Sequence, residues 1–359
     1  MKKILFILLL FSASQISAQT NVVQTGKGVL PQSYISYFLP QTEIVLEVSV
    51  KRTIQKQGKF VNYAKRLLAL DNVIISKSEI YELEKVSVNY NVVLDTTKNF
   101  AVEINTKTTA YNLLLNENGI IKGVNVAAST TLSDRDGKHT TLPIQDTPKP
   151  NLDTTIYFNY SVLTEEALMA TSETKMAEMA AKQIFRIRES KMEILSGESE
   201  TEYSGEALQL VINELDKIEK ELVALFEGKS ITLTETKIFR FVPQSAMENE
   251  VIFRFSPLFG IVEKDDLVGR AITMSILPQN NYSEPPNEPD KKIKKFGLYY
   301  NVSSNAQITI FDGNKQVAEN KFLFPQFGTL KFLPAELFNN KNTQVIFTEF
   351  GEIELVNSL

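Results

Sequence analysis

Gly205-Glu206-Ala207-Leu208-Gln209-Leu210-Val211-Ile212-Asn213-Glu214-Leu215-Asp216-Lys217-Ile218-Glu219-Lys220-Glu221-Leu222-Val223-Ala224-Leu225-Phe226-Glu227-Gly228 is the stretch on which the reading of this chain turns. Within it Leu208, Val211, Leu215, Ile218, Leu222 and Leu225 follow one another in alternating steps of three and four. An apolar stripe with a repeat of about 3.5 residues is the seam of one helix packed on another. Gly228 stands where a helix-ending glycine is expected. Upstream, Ala177, Ala180, Ile184, Ile187 and Ile194 keep helical spacing, with Lys191 in the intermediate place. Polar residues and glycines from Ser196 to Gly205 separate the two segments. The pattern predicts an antiparallel helical hairpin, since about three heptads are too few for a long parallel coiled coil.

The charge sits in the same place. Residues 164–228 hold 15 Asp and Glu against 7 Lys and Arg, within a chain of 43 acidic and 38 basic residues. No basic patch interleaved with aromatics emerges, which argues against a nucleic-acid partner. The acidic outer faces read first as a solvated surface and second as a docking surface.

On both sides of the hairpin the period falls to two. Ile44, Leu46, Val48 and Val50 alternate with charged or small residues, predicting a half-buried strand over 42–57 that Gly58 breaks. Tyr63, Ala64, Leu67 and Leu68 predict a short helix within 60–70. Strands are expected over 79–94, 100–106, 110–115 and 120–126, with turns at Asp95-Thr96-Thr97-Lys98-Asn99 and Asn116-Glu117-Asn118-Gly119. Residues 129–153, with Pro143, Pro148 and Pro150, read as a long loop, as do residues 279–292 with Pro285, Pro286 and Pro289. Further strands are expected at Ile231 and Leu233, 238–242, 251–255, 296–302, 307–311, 316–324, 329–333, 344–347 and 352–356, with a hairpin turn at Asp312-Gly313-Asn314.

The N-terminus has the three parts of a secretory signal peptide: Met1-Lys2-Lys3, an apolar run from Ile4 to Phe11, and small or polar residues to Ala18. Cleavage is expected after Ala18, leaving Gln19 first. Removing Lys2 and Lys3 takes the formal net charge from -5 to -7. The apolar run falls short of the ~20 residues that span a bilayer, and no later run reaches that length. The chain contains no cysteine, which excludes disulfides, thiol nucleophiles, thiolate metal sites and a lipidated cysteine after the signal.

The fold class expected is therefore α+β: predominantly antiparallel β, with an inserted antiparallel α-helical hairpin and a C-terminal sandwich-like β domain. Its parts are a signal peptide over 1–18, a β-rich domain with one short helix over 19–163, the hairpin over 164–228 and the sandwich-like domain over 229–359.

Around the hairpin particular residues carry a resemblance. Ala181, Ile184, Ile187, Arg188, Lys191, Leu195, Gly197 and Glu198, then Gly205-Glu206-Ala207-Leu208 and Leu225-Phe226-Glu227-Gly228, resemble an uncharacterised exported Bacteroidetes family, a domain of unknown function. The likeness extends to Tyr63-Ala64 with Leu67-Leu68, and to Gln326-Phe327-Gly328 with Leu333-Pro334. It departs at Lys191, where an arginine is expected, and at Tyr203-Ser204, where an acidic residue is. The resemblance implies a Gram-negative cell envelope and brings no activity with it.

No constellation of catalytic residues emerges. His139, the single histidine, lies in Asp134-Arg135-Asp136-Gly137-Lys138-His139 and lacks the partners that histidine catalysis or a histidine metal site requires. Asp134 and Asp136 around Gly137 lack the later ligands of a calcium loop, so a turn explains them better. Gly26-Lys27-Gly28 lacks the third glycine of a phosphate-binding turn and reads as a flexible N-terminal stretch. No serine sits in a G-x-S-x-G elbow. Phe253, Phe255, Tyr299, Tyr300, Phe322, Phe324, Phe327 and Phe332 read as core of the C-terminal strands, with an aromatic ligand platform as the alternative. No catalytic, cofactor-binding or metal-binding residue is assigned, and no cofactor is implied. The function expected is that of a non-enzymatic envelope protein, periplasmic in the first instance, whose hairpin is an arm for a partner protein; the alternative is a carboxylate-based hydrolase of envelope glycans.

Overall fold

The alternation at Ile44, Leu46, Val48 and Val50 runs through one strand of 23 residues, β2 (Tyr34–Lys56). The computed structural model describes residues 22–103, 112–126, 156–199, 201, 205–279, 297–334 and 342–358. The signal-peptide stretch, the loops read at 129–153 and from Asn280 to Lys292, and Asp134, Asp136 and His139 lie outside the described residues.

Antiparallel sheets dominate, and helices are few. In the first sheet, β2 lies between β3 (Ser78–Glu103) and β6 (Lys229–Phe241), and β1 (Val22–Gln24) covers the outer edge of β3. Val22–Gln24 is thus a strand, and Gly26-Lys27-Gly28 belongs to the turn after it rather than to a loose N-terminal stretch. The second sheet has the order β11-β10-β9-β7-β8, from β7 (Met247–Ser256), β8 (Gly260–Val262), β9 (Arg270–Pro278), β10 (Gly297–Asp312) and β11 (Lys315–Pro334). The third, β13-β12-β5-β4, joins β4 (Leu113–Leu115) and β5 (Ile121–Val124) to β12 (Thr343–Phe347) and β13 (Ile353–Ser358). Four helices are described: α1 (Ala64–Leu68), α2 (Glu165–Leu168), α3 (Glu173–Ser196) and α4 (Gly205–Glu227).

Three expected breaks close over two bulges. Asp95-Thr96-Thr97-Lys98-Asn99 does have turn chemistry, since Asp95 Oδ1 accepts from the Thr97 amide at 2.9 Å and from its hydroxyl at 2.6 Å. The chain nonetheless continues along β2, with Leu94 opposite Pro40 and Asn99 opposite Phe38. The local hydrogen bonds absorb extra residues on one strand without reversing it. The strands expected over 296–302 and 307–311 likewise fuse into β10, and those over 316–324 and 329–333 into β11, because the surplus residues Pro325 to Gly328 bulge out opposite Ser303. A Cβ on Gly328 would lie 1.8 Å from the Val302 carbonyl oxygen, so only glycine lets the strands approach here.

The two bulged hairpins lie side by side and are bonded at their bulges. Gln326 accepts from the Thr42 amide at 3.0 Å and donates to its carbonyl at 2.8 Å. Asn301 donates to the Pro40 carbonyl at 3.0 Å, and the Tyr37 hydroxyl accepts from the Tyr299 amide at 2.8 Å. The bulges bend long strands, so each hairpin serves two cores. Ile44, Leu46 and Val48 pack with Phe253, Ile272, Met274, Ile308, Ile310 and Phe324, between the first two sheets. Beyond the bulges, Tyr37, Leu39 and Phe100 pack with Leu298, Leu333, Val345 and Phe347 against the third sheet. A third core joins Ile54, Phe60, Ala64, Ile156 and Phe158 to the bases of α3 and α4.

Candidate functional site

Ser172 caps α3, its hydroxyl accepting from the Lys175 amide at 3.3 Å, and α3 ends at Gly197, whose φ of 77° is a left-handed stop. At the far end of α4, Gly228 has φ 92° and its amide donates to the Ala224 carbonyl at 2.9 Å. A side chain there would strike Ile74 and the Lys56 carbonyl. Gly228 thus stands as the stop that the sequence predicts, and Gly197 falls within the break expected from Ser196 to Gly205.

The helices run antiparallel, with Arg188 on α3 bonded to Glu219 on α4 at 2.6 Å and Lys191 bonded to Asp216 at 2.7 Å and to Glu219. Lys191 occupies a seam position and remains largely shielded by these partners. A cation in an otherwise apolar seam selects the one register in which its carboxylates face it. Burial alone would push the Glu219 carboxyl up, but hydrogen bonds from Lys191 and Arg188 outweigh it and hold the group below the ordinary carboxylate range. A depressed folded-state value means stabilisation that is present above the unfolded-state value and is lost as pH falls through the depressed one. Proteolysis between 197 and 204 is therefore expected to accelerate as pH is lowered through that range. Glu219→Gln should remove most of this acid dependence; an unchanged profile in the variant would assign it to other groups.

The pair is buried unevenly. Ala177, Ala180, Ala181 and Ile184 on α3, and Leu222, Ala224, Leu225 and Phe226 on α4, are sealed in the third core. The Phe60 amide donates to the Leu225 carbonyl at 2.7 Å, an approach that Gly58 permits because a Cβ there would come 2.3 Å from the same oxygen. Outward from Lys191 the seam residues Ile194, Leu208, Val211 and Leu215 are only half-buried. Beside them Met192 is 70% exposed, Leu195 66% and Leu210 64%. Glu189, Glu193, Glu198 and Glu206 are exposed around this end and form no ion pair among the described residues. The tip is an apolar patch in an acidic setting.

A second feature lies at the other end of α3. A cleft of about 460 Å³ is lined by Lys56, Gln57, Gly58, Lys59, Val61, Asn62, Ile156, Tyr157, Phe158, Tyr160 and Glu173. Lys229 donates to the Tyr157 carbonyl at 3.0 Å, while Asn159 caps the 3-10 turn at Tyr160–Val162. These contacts hold Tyr157 and Tyr160 at the rim. The sequence reading did not single out either tyrosine or Lys56 and Lys59. Three aromatics in four residues, Tyr157-Phe158-Asn159-Tyr160, just after a proline-rich stretch were the available signal.

The aromatics weighed as a ligand platform are placed differently. Phe253, Phe255, Tyr299 and Phe324 are buried, with Phe253 stacked on Phe239 at 5.0 Å and Phe324 on Phe327 at 4.8 Å. Tyr300, Phe322, Phe327 and Phe332 are half-buried against the same cores. Among the described residues, two cations each hold two carboxylates: Arg52 between Glu79 and Glu235, and Lys191 between Asp216 and Glu219. Among the described residues no three His, Asp or Glu side chains converge as a metal site, and no helix is long and apolar enough to cross a membrane. In comparisons with known proteins, a family described as a domain of unknown function, DUF4831, matches residues 33–354. No curated protein and no solved structure matches the chain.

Proposed function

We propose, for a chain that belongs to the DUF4831 family, a partner-binding role in which α3 and α4 form a hairpin inserted between β regions and act as an interaction arm. The observation that carries this reading is the uneven burial: the base is sealed into the body, while Met192, Leu195 and Leu210 stand in water at the tip. Exposed apolar side chains gathered at one end of a rigid element mark a contact surface. Glu189, Glu193, Glu198 and Glu206 around them specify the occupant, a protein surface with an apolar centre and a basic rim. The first two sheets, which share the first core, are read as a sandwich on which the arm is mounted, one built from residues before and after the helices and not from 229–359 alone.

The same reading places the protein in a Bacteroidetes cell envelope. It rests on the resemblance of the helical residues to an exported Bacteroidetes family and on the signal-peptide pattern of the first eighteen residues, and it takes the periplasm first, with an extracellular or outer-membrane-associated site as the alternative. The module is read as non-enzymatic; a carboxylate hydrolase would need two carboxyl groups facing a shared substrate rather than a shared cation.

The test is cross-linking of the full chain in envelope extracts, wild type against M192Q/L195Q/L210Q. These positions are exposed, so the triple variant should keep its unfolding midpoint. A cross-linked protein lost in the variant and weakened by high salt supports the arm. An identical cross-linked set, or a set indifferent to salt, overturns it.

A further inference from the structure

The cleft at the base of α3 is independent of the arm: Glu173 and Leu195 are separated by 22 helical steps, roughly 33 Å at 1.5 Å per residue. Its volume falls in the range of small-molecule sites, about 300 to 1,000 Å³. Its lining is not that of an ordinary apolar pocket. Ile156 and Phe158 are buried beneath it, and the walls carry two ammonium groups, two side-chain amides, one carboxylate and two phenol rings.

Three observations define what would fit. Tyr157 is 73% exposed, although its backbone is fixed by Lys229, so an aromatic face is held out without a covering side chain among the described residues. Lys59 lies 5.6 Å from the Tyr160 ring, keeping a cation and a ring together at the rim. Lys56 donates to the Ile156 carbonyl at 3.4 Å, which uses one of its three hydrogens. Neither Lys56 nor Lys59 has an ion-pair partner among the described residues, and against them stands the single carboxylate of Glu173. The cleft is therefore locally cationic in a chain of net negative charge.

We propose that this cleft binds an acidic saccharide, its ring faces against Tyr157 and Tyr160 and its carboxylate taken by Lys56 and Lys59. Saccharides combine weakly apolar C–H faces with dense hydroxyls. The exposed phenol rings answer the first, and Gln57, Asn62 and Glu173 answer the second. A neutral sugar would leave the two ammonium groups unused, and a purely aromatic acid would leave the amides unused.

Isothermal titration of the full chain with digalacturonate, lactose and benzoate tests the assignment. Digalacturonate is expected to bind, with lactose and benzoate each at least about tenfold weaker, and Tyr157→Ala and Lys59→Ala each to weaken it at least about tenfold. Both side chains are exposed, so an unchanged unfolding midpoint should accompany the loss. The proposal is overturned if digalacturonate gives no binding at millimolar concentration, if either variant binds it as wild type does, or if lactose or benzoate binds as tightly.

Discussion

Arg52→Met is expected to lower the free energy of unfolding by about 3 kcal/mol, the low end of the range for breaking a buried ion pair. Arg52 sits on the central strand of the first sheet and is only 4% exposed. Its guanidinium donates to Glu79 on β3 at 2.7 Å and to Glu235 on β6 at 3.1 Å, and lies 5.8 Å from the Tyr81 ring. The Tyr81 hydroxyl donates to Glu79 in turn, so one cation organises side chains from three strands. Methionine keeps much of the aliphatic volume and removes the charge. Two carboxylates then share the site with no cation between them, partly screened because they retain 28% and 21% exposure. Urea unfolding at neutral pH measures the loss, and R52M/E79Q/E235Q is expected to recover much of it. A loss in R52M below about 1 kcal/mol, the level of a surface ion pair, would show that Arg52 does not hold the sheet.

Phe226→Ala is expected to cost more, about 3–5 kcal/mol, the usual range for deleting a buried phenyl ring. Phe226 is fully buried at the base of α4 and packs on Phe60 with ring centroids 5.2 Å apart. The ring lies where the helix ends, beside the Phe60–Leu225 hydrogen bond that ties α4 to the chain after β2. The damage should be local as well as global. Amide exchange in α3, α4 and 156–163 is expected to speed up more than exchange in β9 and β10. Equal acceleration everywhere would mean that the third core unfolds with the sheets as one unit.

These two sites differ in how far they could be read in advance. Phe226 follows a seam residue at the end of an unbroken heptad pattern, so its burial against something was foreseeable; Phe60 as its partner was not. Arg52 stands in phase with Ile44, Leu46, Val48 and Val50, a cation on the apolar face of the strand. Its inward direction follows the alternation, but its partners do not: β3 and β6 bring Glu79 and Glu235 to it from 27 and 183 residues away. The fused strands show the same limit. Asp95 and Thr97 form the local turn bonds that their residue types predict, yet whether such bonds reverse a chain or only bulge it depends on the partner strand, which continues alongside as β2. Tyr157 and Tyr160 were legible as aromatics but not as the rim of a cleft, because Lys56, Lys59 and Glu173 reach it from elsewhere in the chain.

By itself the sequence determined the period of each segment: helical from Ala177 to Ile194 and from Leu208 to Leu225, alternating along the expected strands, with a glycine stop at Gly228. It also determined the absence of cysteine chemistry and the gathering of acid on the helices. These are local properties, set by side-chain spacing and backbone sterics within a few residues. Tertiary structure alone decided that one end of the helical seam would be sealed and the other left only half-buried. It also decided that two bulged hairpins would bend between cores and that β6, beyond the helices in the chain, would return to pair with β2. Each of these depends on which surfaces meet across hundreds of residues. An apolar stripe states that a face will be covered; only the packed chain states by what, and where the covering stops.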